Sequence, residues 1–230
     1  MLCLTEMTKK QKIKLTVVDQ SPVRKGGTSS DALRESVELA TCVEKIGYSR
    51  YWVAEHHNSS SFSGTSPEIL IGQIAAKTKH IRVGSGGVML SHYSALKVAE
   101  QFSVLDSFYP DRVDLGIGRA PGSDRRTAAA LTYPRPTMDV YHDFPQMVRD
   151  LADFLNGGIK DGNPLSGIVA HPGSQNNSSP RIWLLGSSDY SAKLAAEMGL
   201  PFSFADFFGN TSEYGPQICN CLLYTSPSPR

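Results

Sequence analysis

Tyr48-Ser49-Arg50-Tyr51-Trp52-Val53-Ala54-Glu55-His56-His57 decides how the rest of this 230-residue chain is read. Tyr51 to Ala54 is a short apolar, aromatic run of the kind that forms a buried strand, and it ends in a carboxylate followed by two imidazoles. Proteins built on parallel strands put their chemistry where the strands leave the sheet. Keeping Glu55, His56 and His57 at the end of a buried strand costs stability unless something there uses them. Adjacent strand residues face opposite sides, so His56 and His57 cannot both ligate one ion without a bend. That argues against a metal. Two readings stay open: imidazoles hydrogen-bonded within a loop, and groups of an active site.

Outward from this stretch, strand-like and helix-like segments alternate. Lys14 to Val18 reads as a strand, followed by the turn residues Asp19-Gln20-Ser21-Pro22. Asp31 to Ile46 reads as a helix with Leu33, Val37, Ala40, Val43 and Ile46 on one face and Gly47 just past its end. After a serine-rich loop, Asn58 to Thr65, Ser66 caps a helix with Pro67 at its first position and Leu70, Ile74 and Ala75 facing inward. Ile81 to Ser85 is a third strand, about Leu96 to Phe108 a helix, and Arg112 to Ile117 a fourth strand. Between Ser123 and Ser179 one helix is clear, with Phe144, Met147, Val148, Leu151, Phe154 and Leu155 on one face; the rest is rich in Pro, Gly, Asn and Ser. Ile182 to Gly186 is a strand, Ser188 opens a helix ending at Gly199, and Pro201 to Ala205 is a further strand.

Repeated βα units imply a parallel sheet with helical crossovers. No GxGxxG follows the first strand, which disfavours a dinucleotide-type doubly wound sheet. The fold class is α/β, a (β/α)8 barrel. Such barrels need about 250 residues, and about six of the eight βα units are visible. The expected organisation is a disordered tail over 1–12, an incomplete barrel over 13–208, an unassigned end over 209–220 and a tail over 221–230. That tail, CLLYTSPSPR, reads as translated sequencing adapter or as a Pro/Ser-rich disordered end. An open barrel leaves two raw sheet edges, so the isolated chain is expected to aggregate or to need a partner.

A net charge of +1 argues against a nucleic-acid footprint or a polybasic membrane patch; the one basic cluster, Lys9 to Lys14, lies at a terminus. No apolar run approaches a transmembrane length, and Met1 to Leu15 lacks a signal-peptide core. The four cysteines are scattered, with Cys42 read as a small core residue, so the usage looks reduced and cytoplasmic.

Four strand ends carry chemistry: Asp19-Gln20, Glu55-His56-His57, Gly84 to Gly87, and Gly116 to Arg119. In a parallel barrel they converge on one face. Gly186-Ser187-Ser188 sits there too. Its helix start, with hydroxyls from Ser187, Ser188 and Ser191, is a candidate phosphate site, and Arg119 supplies a cation from the neighbouring strand. Gly84, Gly86 and Gly87 remove side chains, either for a bulge or for a flat ligand. A flat ring with a phosphate tail suggests flavin mononucleotide or an analogue.

The segments LTVVDQSPV, GYSRYWVAEHHN, IRVGSGGVMLSHYSALKVAEQF, RVDLGIGRAPGSD and IWLLGSSDYSAKLAAEMGLPFSFA resemble the bacterial luciferase-like monooxygenases over about residues 13 to 208. The resemblance implies a (β/α)8 barrel that uses reduced FMN, supplied by a separate flavin reductase, and dioxygen on a small organic substrate. It implies no nucleic-acid or membrane partner and offers a homodimer as one assembly. It puts Glu55 and His56 beside the isoalloxazine, with His56 as the acid/base candidate; within the cluster His57 reads as support. Gly84-Ser85, with Gly86 following, corresponds to a non-proline cis peptide against the ring. Arg119, Gly186, Ser187, Ser188 and Ser191 correspond to the phosphate site. Gly118 stands where luciferase has a reactive cysteine, so no thiol chemistry is expected. The chain departs from the pattern in Leu90-Ser91-His92-Tyr93-Ser94-Ala95, which lacks two prolines, in Asp111 at a turn glycine, and in Phe207 at a common histidine. The alternatives are a deazaflavin-dependent dehydrogenase of the same superfamily, a non-catalytic flavin-binding protein, and an inactive fragment.

Overall fold

The computed structural model describes residues 13–119, 124–134, 143–160, 162–173, 178–208 and 214–219. The expectations for 1–12 and 221–230 lie outside these residues; within 209–220, a short helical turn covers 215–219. Strand β1 (Thr16–Asp19) leads to helix α1 (Ser29–Lys45), β2 (Arg50–Val53) to α2 (Pro67–Lys77), and β3 (Arg82–Met89) through a 3₁₀ turn (Leu90–His92) to α3 (Ala95–Phe108). Strand β4 (Val113–Gly118) is followed by α4 (Arg125–Thr132) and α5 (Phe144–Leu155), β5 (Arg181–Gly186) by α6 (Asp189–Met198), and β6 (Phe202–Phe204) completes the set.

All six strands are parallel and lie in sequence order. Each crossover therefore advances the chain by one strand, the winding of a (β/α)8 barrel. Tyr51, Val53, Val83, Val113, Leu115, Ile117, Ile182 and Leu184 point outward into a continuous core with Ile71, Ile74, Val98, Phe102, Val148 and Leu151 of the helices. Each fully buried side chain of this kind contributes about 1.5–3 kcal/mol.

The opposite face is the barrel lumen. One register row runs Val18, Trp52, Gly84, Asp114. Asp114 is fully buried; its Oδ2 accepts from Arg50 Nε at 2.9 Å and Trp52 Nε1 at 3.1 Å, and its Oδ1 from Arg82 Nε at 2.8 Å. A buried carboxylate survives only when compensated in this way. The Trp52 and Trp183 rings meet edge-on, 5.3 Å between centroids. Strands β3 and β4 approach so closely that a Cβ at Gly84 would lie 2.3 Å from the Asp114 carbonyl oxygen, and one at Gly116 would lie 2.1 Å from that of Ser85.

Several expectations change. Strand β3 runs on to Met89 through a register shift between Ser85 and Val88, and its cis peptide is Gly86-Gly87, not Gly84-Ser85. Helix α1 starts earlier than Asp31 because Thr28 caps it: the Asp31 N–H donates to Thr28 Oγ1 while the Thr28 N–H donates to Asp31 Oδ2. Ile46 and Cys42 are exposed, not core, because α1 buries the Ala32, Ser36, Ala40, Val43 stripe. Ser66 flanks α2 without a side-chain capping bond. Helix α4 carries too few apolar residues for its periodicity to stand out in the sequence.

Candidate active site at the strand ends

The end of β2 divides its three titratable residues between two directions. Glu55 has the parity of the outward residues Tyr51 and Val53 and is 2% exposed. Its Oε2 accepts from the Met89 N–H at 2.9 Å; its Oε1 accepts from the Tyr93 hydroxyl at 2.6 Å and lies 2.7 Å from His57 Nε2. This carboxylate ties the end of β2 to the end of β3 and the start of α3. Burial, with the Glu55 charge beside it, raises the Tyr93 pKa, so the phenol stays neutral and donates. Burial also raises Glu68 on α2, with a smaller contribution from Glu55. Glu55 thus anchors the residues around it through the bonds it accepts from Met89 and Tyr93.

His56 goes the other way. Its ring stacks on Phe62, 4.8 Å between centroids and 29° between planes, and its backbone N–H donates to the Gly64 carbonyl at 2.8 Å. Burial lowers its pKa below the usual histidine value. Among the described residues its ring nitrogens show no hydrogen bond, whereas His57 is engaged by Glu55. The structure therefore separates a free imidazole from a fixed one.

The neighbouring strand ends complete the face. Gly84 and Ser85 are buried and occupied by β4: the Ser85 hydroxyl donates to the Gly116 carbonyl at 2.9 Å. Only Gly86 and Gly87 of this run are partly exposed; a Cβ on Gly87 would lie 2.4 Å from Leu185 Cδ1 and one on Gly86 3.2 Å from Trp52 Cβ. At Gly118 a Cβ would meet nothing closer than 4.0 Å, so a side chain would fit there; the lack of a thiol is a matter of chemistry, not of space. Asp19, at the end of β1, is structural: it accepts from the Tyr51 hydroxyl at 2.6 Å and the Ser21 N–H at 2.9 Å.

Arg119 follows β4 immediately, and its carbonyl accepts from the Ser91 hydroxyl at 3.0 Å. Its guanidinium lies over the Tyr190 ring, 4.2 Å from the centroid, which places it at the start of α6. Ser188, the residue before that helix, is exposed and its hydroxyl makes no capping bond. Ser187 is partly exposed, while Ser191 is buried against Gly186, where a Cβ would lie 2.8 Å from its Oγ. A spare hydroxyl and a planar cation at one helix start fit an anionic oxygen cluster, although the Asp189 carboxylate engages the N–H groups of Asp189 and Tyr190. Asp189 adds a negative charge at the same end, offset by Lys193 Nζ at 2.7 Å.

Sequence reasoning brought together His56, Gly86, Arg119, Ser187 and Ser188. It missed Phe62, Ser91, Tyr93 and Tyr190, whose partners are set by the fold and carry no local pattern. A cavity of about 670 Å³ between α1 and α2 borders none of these residues. Among the described residues no group of His, Cys, Asp and Glu gathers as a metal site, and no helix is long and apolar enough to cross a membrane.

Residues 13–215 match the family model of the luciferase-like monooxygenases. The chain is 47% identical over 194 residues to YvbT of Bacillus subtilis, covering 84% of this chain and 55% of that protein. It is 44% identical over 196 residues to a luciferase-like monooxygenase of Escherichia coli, covering 85% and 56%. It is 41% identical over 203 residues to an N-acetyl-S-alkylcysteine monooxygenase of Bacillus subtilis, covering 87% and 59%. It thus spans little more than half the length of these relatives. The crystal structure of apo-MsnO8 superposes with a TM-score of 0.83 at 41% identity, covering 94% of this chain and 62% of that one. The oxygenating constituent of 3,6-diketocamphane monooxygenase, solved in complex with FMN, shares the fold at a TM-score of 0.75 and 15% identity, over 96% and 65%. By sequence over most of its length and by its partial barrel, the chain belongs to the luciferase-like monooxygenase family.

Proposed function

We propose that this chain forms the cofactor-binding part of a monooxygenase that takes reduced FMN and dioxygen to a small organic substrate. The observation that carries the reading is the placement of the Arg119 guanidinium over Tyr190 at the start of α6, beside the uncommitted Ser188 hydroxyl. Arg119, Ser187 and Ser188 would hold the phosphate. Gly86 and Gly87 would offer a surface without side chains to the ring, and His56 stands within the same arc of strand ends. Bound reduced flavin would supply the activation of dioxygen needed to transfer one oxygen atom to the substrate.

The protein's own groups would do the rest. Arg119 and the α6 N–H groups neutralise the phosphate and fix the orientation of what is attached to it. The neutral imidazole of His56 accepts a proton as the reaction proceeds and returns it. Glu55 and Tyr93 keep the His56 segment in place through the bonds they make around it. A separate reductase as the source of reduced flavin, and self-association as a dimer, belong to the same proposal.

The test is a titration of the chain with FMN and, in parallel, with the deazaflavin F420, followed by flavin fluorescence. The reading expects saturable quenching of FMN and oxygen uptake when the flavin is supplied reduced. Saturable binding of F420 without FMN binding would replace it with a deazaflavin dehydrogenase. No saturable change with either compound would overturn it.

A further inference from the structure

We propose that Phe62 is a positioning residue for His56, fixing the orientation of its ring at the barrel mouth. The inference rests on the reading of His56 as the proton-handling group and names the residue that prepares it.

Phe62 sits in the serine-rich loop after β2, a stretch whose composition predicts nothing beyond a solvated connection. The loop is nevertheless fastened. Pro22 and Phe62 form an antiparallel bridge, the Val23 N–H donates to the Ser61 carbonyl at 2.8 Å, and the Ser63 N–H donates to the Ser21 carbonyl at 2.9 Å. The connection after β1 thus holds the Phe62 backbone, and the His56 N–H to Gly64 carbonyl bond holds the histidine backbone from the same loop. Two backbones fixed on each other leave the rings stacked at 4.8 Å, within the range of a favourable aromatic pair.

The stack has a chemical consequence. It covers one face of the imidazole with carbon, and burial is the main cause of the lowered His56 pKa. The charged neighbours oppose each other: Glu55 pulls the pKa up and His57 pushes it down. The loop 58–65 brings no ionisable side chain to the ring. The connection from β1 brings Asp19 near its own end, where Tyr51 and Ser21 engage it. Phe62 is therefore the group whose removal changes the solvation of His56 without changing a charge. His56 is left in its proton-accepting form with its nitrogens unengaged by described residues, whereas a polar cover would have tied one of them up.

The test is a pH titration of the histidine ring resonances by NMR on the whole chain without cofactor. The His56 signal is identified by its loss in His56→Gln. The inference predicts that His56 titrates below the ordinary value of 6.5, that it moves back toward 6.5 in Phe62→Leu and Phe62→Ala, and that Phe62→Tyr restores the native behaviour. Cross-relaxation between the His56 and Phe62 rings should be present in the native chain and absent in the leucine variant. Phe62→Leu, which keeps apolar volume in the loop, gives the decisive comparison if the alanine variant does not fold. An unchanged His56 titration in Phe62→Leu, or no contact between the rings, would overturn the inference. Failure of FMN to bind, with the ring titration as predicted, would count against the proposed function and leave the role of Phe62 standing.

Discussion

Two aspartates show how local surroundings turn composition into behaviour. Asp106, on the last turn of α3, is 4% exposed, and among the described residues its Oδ1 has no hydrogen-bond partner. Burial raises its pKa; the bond to Ser178 only partly opposes this. The folded chain therefore holds the Asp106 proton to higher pH than the unfolded chain, and stability from this group falls as pH rises from the ordinary value of 3.8 to the raised one. Above that window the ionised carboxyl is a constant cost. Asp106→Asn should remove this fall, which urea unfolding at a series of pH values measures; a variant that parallels the native chain at every pH would contradict it. Asp111 is the second case. It adopts φ +61°, the left-handed region that the turn glycine implied by the family resemblance occupies freely. An aspartate tolerates that conformation better than most residues, so the departure leaves the turn in place.

At the scale of elements, the β3–β4 pair is the tightest feature of the barrel. A Cβ on Gly116 would lie 2.1 Å from the Ser85 carbonyl oxygen and 2.9 Å from Leu185 Cδ1, and the first of these is backbone that cannot swing aside. Gly116→Ala should cost more than the ~1–3 kcal/mol of ordinary overpacking. Gly118→Ala, two residues along the same strand with open space, should change stability by less than about 0.5 kcal/mol. Thermal unfolding of the two variants decides it; equal losses would mean that the glycines mark composition and not contact. The run Gly84-Ser85-Gly86-Gly87 also shows what the sequence leaves undivided. All three glycines look alike in one dimension. The pairing to Asp114 buries Gly84, whereas Gly86 and Gly87 stay partly exposed.

Across the whole molecule, strands and most helices were legible because alternation and 3.6-residue periodicity report burial directly. The convergence of strand ends follows from parallel topology alone, so the sequence already groups His56, Arg119 and Ser188 on one face. Partners across the fold could not. Tyr93 lies 38 residues from Glu55 and Tyr190 lies 71 from Arg119; no local spacing announces either contact. Asp114 was equally silent, although its buried pairing with Arg50 and Arg82 organises the lumen.

The central claim is that Arg119 and the start of α6 form the anchor of a flavin phosphate. The direct measurement is FMN affinity of the native chain against Arg119→Ala and Arg119→Lys, by fluorescence quenching at fixed ionic strength. A charge-assisted hydrogen bond is worth about 1.5–3 kcal/mol, so the alanine variant should bind on the order of 10- to 100-fold more weakly. Lysine should restore part of the affinity, since it keeps the charge without the planar fork. Riboflavin, which lacks the phosphate, should bind native and variant chains alike. Equal FMN affinity in native and Arg119→Ala chains would contradict the account.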